Sequence, residues 1–177
     1  LMKTVEKIFY DIHKKGDKAA INYSRKFDFP DQETVKVSEE IIEDASNKVS
    51  ERLKQAIAVA AKNIETFHRS QQEVVNKVET APGVICWRES RPIERVGIYV
   101  PGGTAPLFST VLMLAIPAKI AGCEEIVLCT PPDEEGNIDP AILFAANLAG
   151  VTKIFALGGI QAIGAMTFGT DSVPKVD

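Results

Sequence analysis

Residues 93–130 read IERVGIYVPGGTAPLFSTVLMLAIPAKIAGCEEIVLCT, and this stretch decides the fold. Ile93 to Val100 is a strand-like run, uninterrupted by turn residues until Pro101-Gly102-Gly103. An apolar helix follows from about Ser109 to Ala121, then a short strand from Ile126 to Cys129. Working forward, a polar loop holding Pro131, Pro132, Gly136 and Asn137 leads into a helix opened by Asp139-Pro140 and closed by Gly150. Ile154 to Leu157 reads as a further strand, Gly158-Gly159 as a tight turn, and Ile160 to Phe168 as a helix ending at Gly169. Strand and helix alternate throughout. That order predicts an α/β fold in which helices cover a parallel sheet whose connections are right-handed crossovers.

Working backward from Ile93, Val84 to Trp87 reads as another strand, linked to the first by a hairpin or a sheet extension. Before about Gln72 the texture is helical and charged. Val5, Ile8, Phe9 and Ile12 recur at helical spacing, Gly16 breaks the run, and Asp17 is placed to cap a second helix that reaches about Phe27. Pro30 ends that section, and a short extended piece follows around Val35 to Val37. Ser38 then caps a helix with Glu39 and Glu40 in its first turn, where the positive end of the helix dipole favours them. Ser50 starts another, on which Leu53, Ile57, Ala60, Ile64 and Phe67 form one apolar stripe.

With 177 residues and 45% hydrophobic content, the chain can bury a real core. Lys and Arg total 20 against 24 Asp and Glu, a formal charge of -4, which disfavours nucleic acid as a partner. No charged residue falls between Arg95 and Lys119, but Pro101, Gly102, Gly103, Pro106 and Pro117 interrupt that stretch. A bilayer span needs roughly 20 consecutive apolar helical residues, so the stretch reads as buried core and no membrane association is expected. The N-terminus lacks the apolar core and cleavage site of a secretory signal. Cys86, Cys123 and Cys129 have neither CxxC spacing nor neighbouring histidines, which suits a reducing cytoplasm. None has a base beside it in sequence, so inert packing is expected over a thiolate nucleophile. His13 and His68 lie on charged helices without partners at useful spacing and are expected to be solvated.

In a parallel sheet, ligands usually sit beyond the carboxyl ends of the strands. Gly102-Gly103 and Gly158-Gly159 both lie at such ends, where missing Cβ atoms allow sharp turns and close approach of a ligand. Neither turn is the dinucleotide fingerprint: Gly158, Gly159 and Gly164 do not fit G-x-G-x-x-G, and no suitably placed acidic residue stands about 20 positions on.

The run Arg91 to Met113, RPIERVGIYVPGGTAPLFSTVLM, resembles the signature segment of the histidinol dehydrogenase family nearly letter for letter. So do Ala156 to Ala165 (ALGGIQAIGA), Phe168-Gly169-Thr170 and Val173 to Asp177 (VPKVD), and a weaker likeness extends over the helical half. The resemblance implies Rossmann-like domains without the usual glycine fingerprint, in an aldehyde-dehydrogenase-like architecture. Residues 1–95 would form the helical part of the first such domain, with an extended segment near its end. Residues 96–177 would form an NAD-binding Rossmann-like domain truncated at its C-terminal end.

Members of the family are homodimers that use zinc and two molecules of NAD to oxidise L-histidinol through L-histidinaldehyde to L-histidine. Carried over by motif, Tyr99 and Gln161 are implied to contact NAD, and Pro101 to line the same pocket. A third contact, an asparagine in a Gly-Pro-Gly-Asn turn, is expected just past Asp177. The catalytic Glu-His pair and the zinc ligands are likewise expected outside this chain, which alone should be inactive. Read from the residues alone, Tyr99 could instead pack its ring and bond its hydroxyl to backbone, and Gln161 could cap its own helix. Two other functions stay open: a relative oxidising a different alcohol, and a non-catalytic nucleotide-binding or assembly module.

Overall fold

A computed structural model describes residues 2–103 and 105–177. The chain begins with helices α1 (Met2–Lys15), α2 (Asp17–Phe27), α3 (Glu39–Lys48) and α4 (Glu51–Arg69). Strands β1 (Val78–Ala81) and β2 (Val84–Cys86) follow. Strand and helix then alternate through β3 (Arg95–Tyr99), α5 (Phe108–Ala121), β4 (Glu125–Thr130), α6 (Pro140–Ala149), β5 (Lys153–Ala156) and α7 (Gly159–Phe168). The strand-helix alternation expected from Ile93 onward is therefore present, and the protein is a mixed α/β structure of Rossmann-like form.

The central sheet runs in the order β3-β4-β5, all parallel, with Tyr99 beside Cys129 and Cys129 beside Phe155. Successive side chains of a strand point to opposite faces. In β4, Ile126 and Leu128 accordingly enter one core with α3, α4, α5 and α6, while Val127 and Cys129 enter a second with α1, α2 and α7. A strand covered on both sides must be apolar at every position, which is why Ile126 to Cys129 shows no alternation. The extended piece at Val35 to Val37 borders β5 in antiparallel sense: Val37 N–H donates to the Ile154 carbonyl at 3.0 Å and Ala156 N–H to that of Val35 at 2.7 Å. At the opposite edge, Asp177 N–H donates to the Arg95 carbonyl at 3.0 Å.

Local chemistry sets the helix ends. The hydroxyls of Ser38 and Ser50 accept from Ile41 and Leu53 N–H, Asp139 accepts from Ala141 N–H, and Gly122 and Gly150 end α5 and α6 in the left-handed conformation. Asp17 differs from expectation. It sits inside the first turn of α2, Gly16 occupies the cap, and the Asp17 carboxylate accepts from Ser172 Oγ at 2.6 Å. Phe67 also leaves its expected stripe, being 62% exposed where Ile57 is fully buried, because α4 outruns the core near its C-terminus. In α5 only one side of the apolar run is buried; Met113 and Leu114 face outward.

The largest departure lies between α4 and β3. β2 does not extend the main sheet or pair with β3; it pairs antiparallel with β1 across Gly83, whose φ is +80°. Every residue of this hairpin is exposed. Among the described residues no helix is long and apolar enough to cross a membrane.

Candidate functional site

The loops leaving the three parallel strands meet on Pro131, at the end of β4. A Cβ on Gly102 would lie 2.8 Å from Pro131 Cγ, and one on Gly158 would lie 2.7 Å from Pro131 Cβ. Both glycines are thus required by protein packed against them. Gly103 is the open one, with nothing within 4 Å of an added Cβ. At the second turn the conformational demand falls on Gly159, whose φ of +53° other residues rarely adopt.

Tyr99 and Gln161 come together at this second turn. The Tyr99 hydroxyl accepts from Gly159 N–H at 2.9 Å, tying the end of β3 to the first residue of α7. Gln161 is 2% exposed, and its Nε2 donates to Asp28 Oδ2 at 3.0 Å rather than capping its own helix. Ser24 Oγ, fully buried on α2, shares its one proton between Gln32 Oε1 at 2.6 Å and Asp28 Oδ2 at 3.2 Å. Gln32 Nε2 donates in turn to the Ala156 carbonyl at 2.6 Å, at the end of β5. A buried polar network therefore binds α2 to the strand ends, and each member satisfies the next.

This network alters what the α7 N-terminus can do. A helix N-terminus ordinarily offers free N–H groups to a phosphate. Here the Gly159 N–H is taken by Tyr99, and the Asp28 carboxylate lies against Gly158, where Oδ1 would stand 2.8 Å from an added Cβ. The missing G-x-G-x-x-G fingerprint thus has a structural counterpart: Tyr99 takes one N–H of this helix start, and the Asp28 carboxylate, unfavourable to phosphate, lies beside it.

Pro101 faces elsewhere. With Gly102, Gly103, Thr130, Pro131, Gln32 and Ala156 it lines a cleft of about 850 Å³ at the strand ends, which Lys36 and Lys48 border. Tyr99 and Gln161 do not line it, so the three predicted residues flank the Pro131 junction from two sides. Thr130 Oγ1 is buried at the cleft wall with no hydrogen-bond partner among the described residues. Such an orphaned hydroxyl suits a polar ligand, and the cleft falls within the range of about 300–1,000 Å³ usual for small-molecule sites. Asp28, Ser24, Gln32, Thr130 and Pro131 were not singled out from sequence. Asp28 carried a signal nonetheless: it is an acid at the C-terminus of α2, where the helix dipole disfavours negative charge.

Burial raises the Cys129 thiol to about 12, so it stays protonated and inert at neutral pH. Cys123 is half-buried and Cys86 exposed on the hairpin. His13 is exposed, with its ring 4.8 Å from that of Phe168. His68 is half-buried rather than fully solvated, with Nδ1 2.7 Å from Gln71 Oε1. Among the described residues no group of three His, Cys, Asp or Glu side chains could hold a metal ion, so they do not fit zinc.

The family model described as histidinol dehydrogenase matches residues 1–177. The histidinol dehydrogenase of Bacteroides thetaiotaomicron is 60% identical over 176 residues, which cover 99% of this chain and 41% of that protein. The histidinol dehydrogenase of Escherichia coli is 54% identical over 177 residues, covering 100% of this chain and 40% of its own. The crystal structure of histidinol dehydrogenase from Elizabethkingia anophelis superposes with a TM-score of 0.96 at 58% identity, over 100% of this chain and 41% of that one. The chain spans about two fifths of the length of these relatives. With the whole sequence matched and the whole fold superposed, the chain belongs to the histidinol dehydrogenase family.

Proposed function

We propose that this chain is the NAD-binding portion of a cytoplasmic, homodimeric histidinol dehydrogenase that oxidises L-histidinol through L-histidinaldehyde to L-histidine. Residues 96–177 form the cofactor wall, and the helices of residues 1–95 support it. The observation that carries this reading is the joining of Tyr99 and Gln161 at one turn beyond the carboxyl ends of β3 and β5, in a member of this family. Bound NAD supplies the acceptor for the hydride removed from the substrate carbon, once for each of two oxidations.

The chain's own residues hold and orient. Tyr99 fixes the β3 end against α7 and offers one face of its ring to the cofactor, while Gln161 offers a polar contact fixed from behind. Pro101 and Gly103 form the rim of the cleft, and Thr130 supplies a hydroxyl free to bond a ligand group. Zinc finds no seat among the described residues. Zinc ligands and the acid-base pair belong, on this proposal, to the remainder of the enzyme, and the chain alone is inactive.

The test uses the chain alone with NAD, L-histidinol and zinc. No NADH should form, and amide chemical shifts perturbed by NAD should centre on Tyr99 and Gln161, with the Pro101 ring carbon signals shifting too. Turnover by the chain alone, or perturbations confined to another region, would contradict the reading.

A further inference from the structure

We infer that Asp28 is a positioning residue for cofactor recognition, fixing which end of the Gln161 amide faces the ligand. The inference rests on the reading of Gln161 as an NAD contact.

A glutamine amide offers a donor at one end and an acceptor at the other, and with no fixed partner it can turn either toward a ligand. Asp28 removes that choice. A carboxylate only accepts, so Nε2 must point to it, 3.0 Å away, and Oε1 must point the other way. Oε1 lies toward the exposed Gly159 turn, 3.2 Å from where a Cβ on that glycine would stand. An acceptor there suits hydroxyl or amide N–H groups, such as a ribose or a carboxamide, and is unfavourable to phosphate oxygen.

Asp28 has little local reason to be acidic. It is the C-terminal cap residue of α2, and its backbone N–H already closes that helix onto the Ser24 carbonyl. Negative charge at a helix C-terminus is disfavoured, whereas the nearby N-terminus of α7 favours it. The carboxylate is therefore explained by what it meets across the fold. Its own orientation is held by Ser24, which is fully buried and also bonded to Gln32. The helical part thereby reaches the cofactor wall through an unbroken polar chain.

Steady-state kinetics of the full-length enzyme test this, with Gln161→Ala, Asp28→Ala and the double variant. Gln161→Ala should raise the KM for NAD about tenfold, and Asp28→Ala about three- to tenfold, with the KM for L-histidinol within about twofold of wild type. The double variant should be no worse than Gln161→Ala, because Asp28 acts through Gln161. A second pair guards against misfolding, since both of its changes are nearly isosteric. Gln161→Glu sets two carboxylates together and should weaken NAD binding, and adding Asp28→Asn should restore part of it. An unchanged KM for NAD in Gln161→Ala would overturn the assignment of Gln161, and this inference with it. A raised KM in Gln161→Ala with none in Asp28→Ala, additive effects in the double variant, or no rescue of Gln161→Glu would overturn the positioning role alone.

Discussion

Pro131 decides which glycines at the strand ends can change. Replacing Gly102 or Gly158 with alanine drives a Cβ to within 2.8 or 2.7 Å of its ring and should cost about 1–3 kcal/mol. Gly103→Ala meets nothing within 4 Å and should stay within about 0.5 kcal/mol of wild type. Chemical denaturation of the three variants checks the contrast, and equal losses would show that Pro131 is not the junction. Cys129 gives a second residue-scale prediction. With its thiol raised from 9.0 to about 12 by burial, it should resist alkylation at pH 8 in the folded chain while Cys86 reacts. The native thiol keeps its proton where the unfolded one loses it, so its contribution to stability is complete below pH 9. That contribution falls between pH 9 and 12 by up to about 1.4 kcal/mol per unit. Native labelling of Cys129 by a pH 8 alkylating agent would refute this. Tyr99 and Gln161 stand out in sequence because they sit inside long motifs, and the fold brings both to one turn. Asp28 does not stand out, since its partner is 133 residues away and only folding brings the two together.

Among the elements, those whose chemistry is local were legible. Ser38 and Ser50 open helices as their sequence positions require, and each serine-to-alanine change should cost about 1 kcal/mol in thermal unfolding. A loss near zero for both would mean that packing, not capping, sets these helix starts. The hairpin departs from the sequence expectation for a physical reason: all of its residues are exposed, so no burial alternation marks its period. Val78-Glu79-Thr80-Ala81 shows no apolar face at all, so nothing in its pattern marks it as the partner of β2. Trp87, the chain's one tryptophan, stands beside the hairpin at 53% exposure with Lys77 Nζ 5.3 Å from its ring centroid. Its fluorescence in the chain should be that of a solvated indole, open to acrylamide quenching. Blue-shifted, protected emission would place the hairpin against another surface.

Across the whole molecule, the two cores are the point of contact between the charged helical half and the sheet. One joins Ile57 and Ala45 to Leu128 and Ile154; the other joins Ile8 and Ile12 to Phe155 and Ala165. Helical periodicity marks Ile8, Ile12 and Ile57, which are buried, but also Phe67, which is exposed, and it holds no information on which sheet face each helix covers. That depends on crossover connections and on Val35 to Val37 bordering β5, a pairing set by long-range hydrogen bonds. The same arrangement brings Asp28 and Gln32 from the helical half to the strand ends, where the cofactor is proposed to lie. The most direct test of the proposed function is the NADH formed per L-histidinol consumed by the full-length enzyme carrying this chain, supplied with zinc. Two NADH per substrate, the yield of alcohol taken to carboxylate, is the expected result; one or none would contradict it.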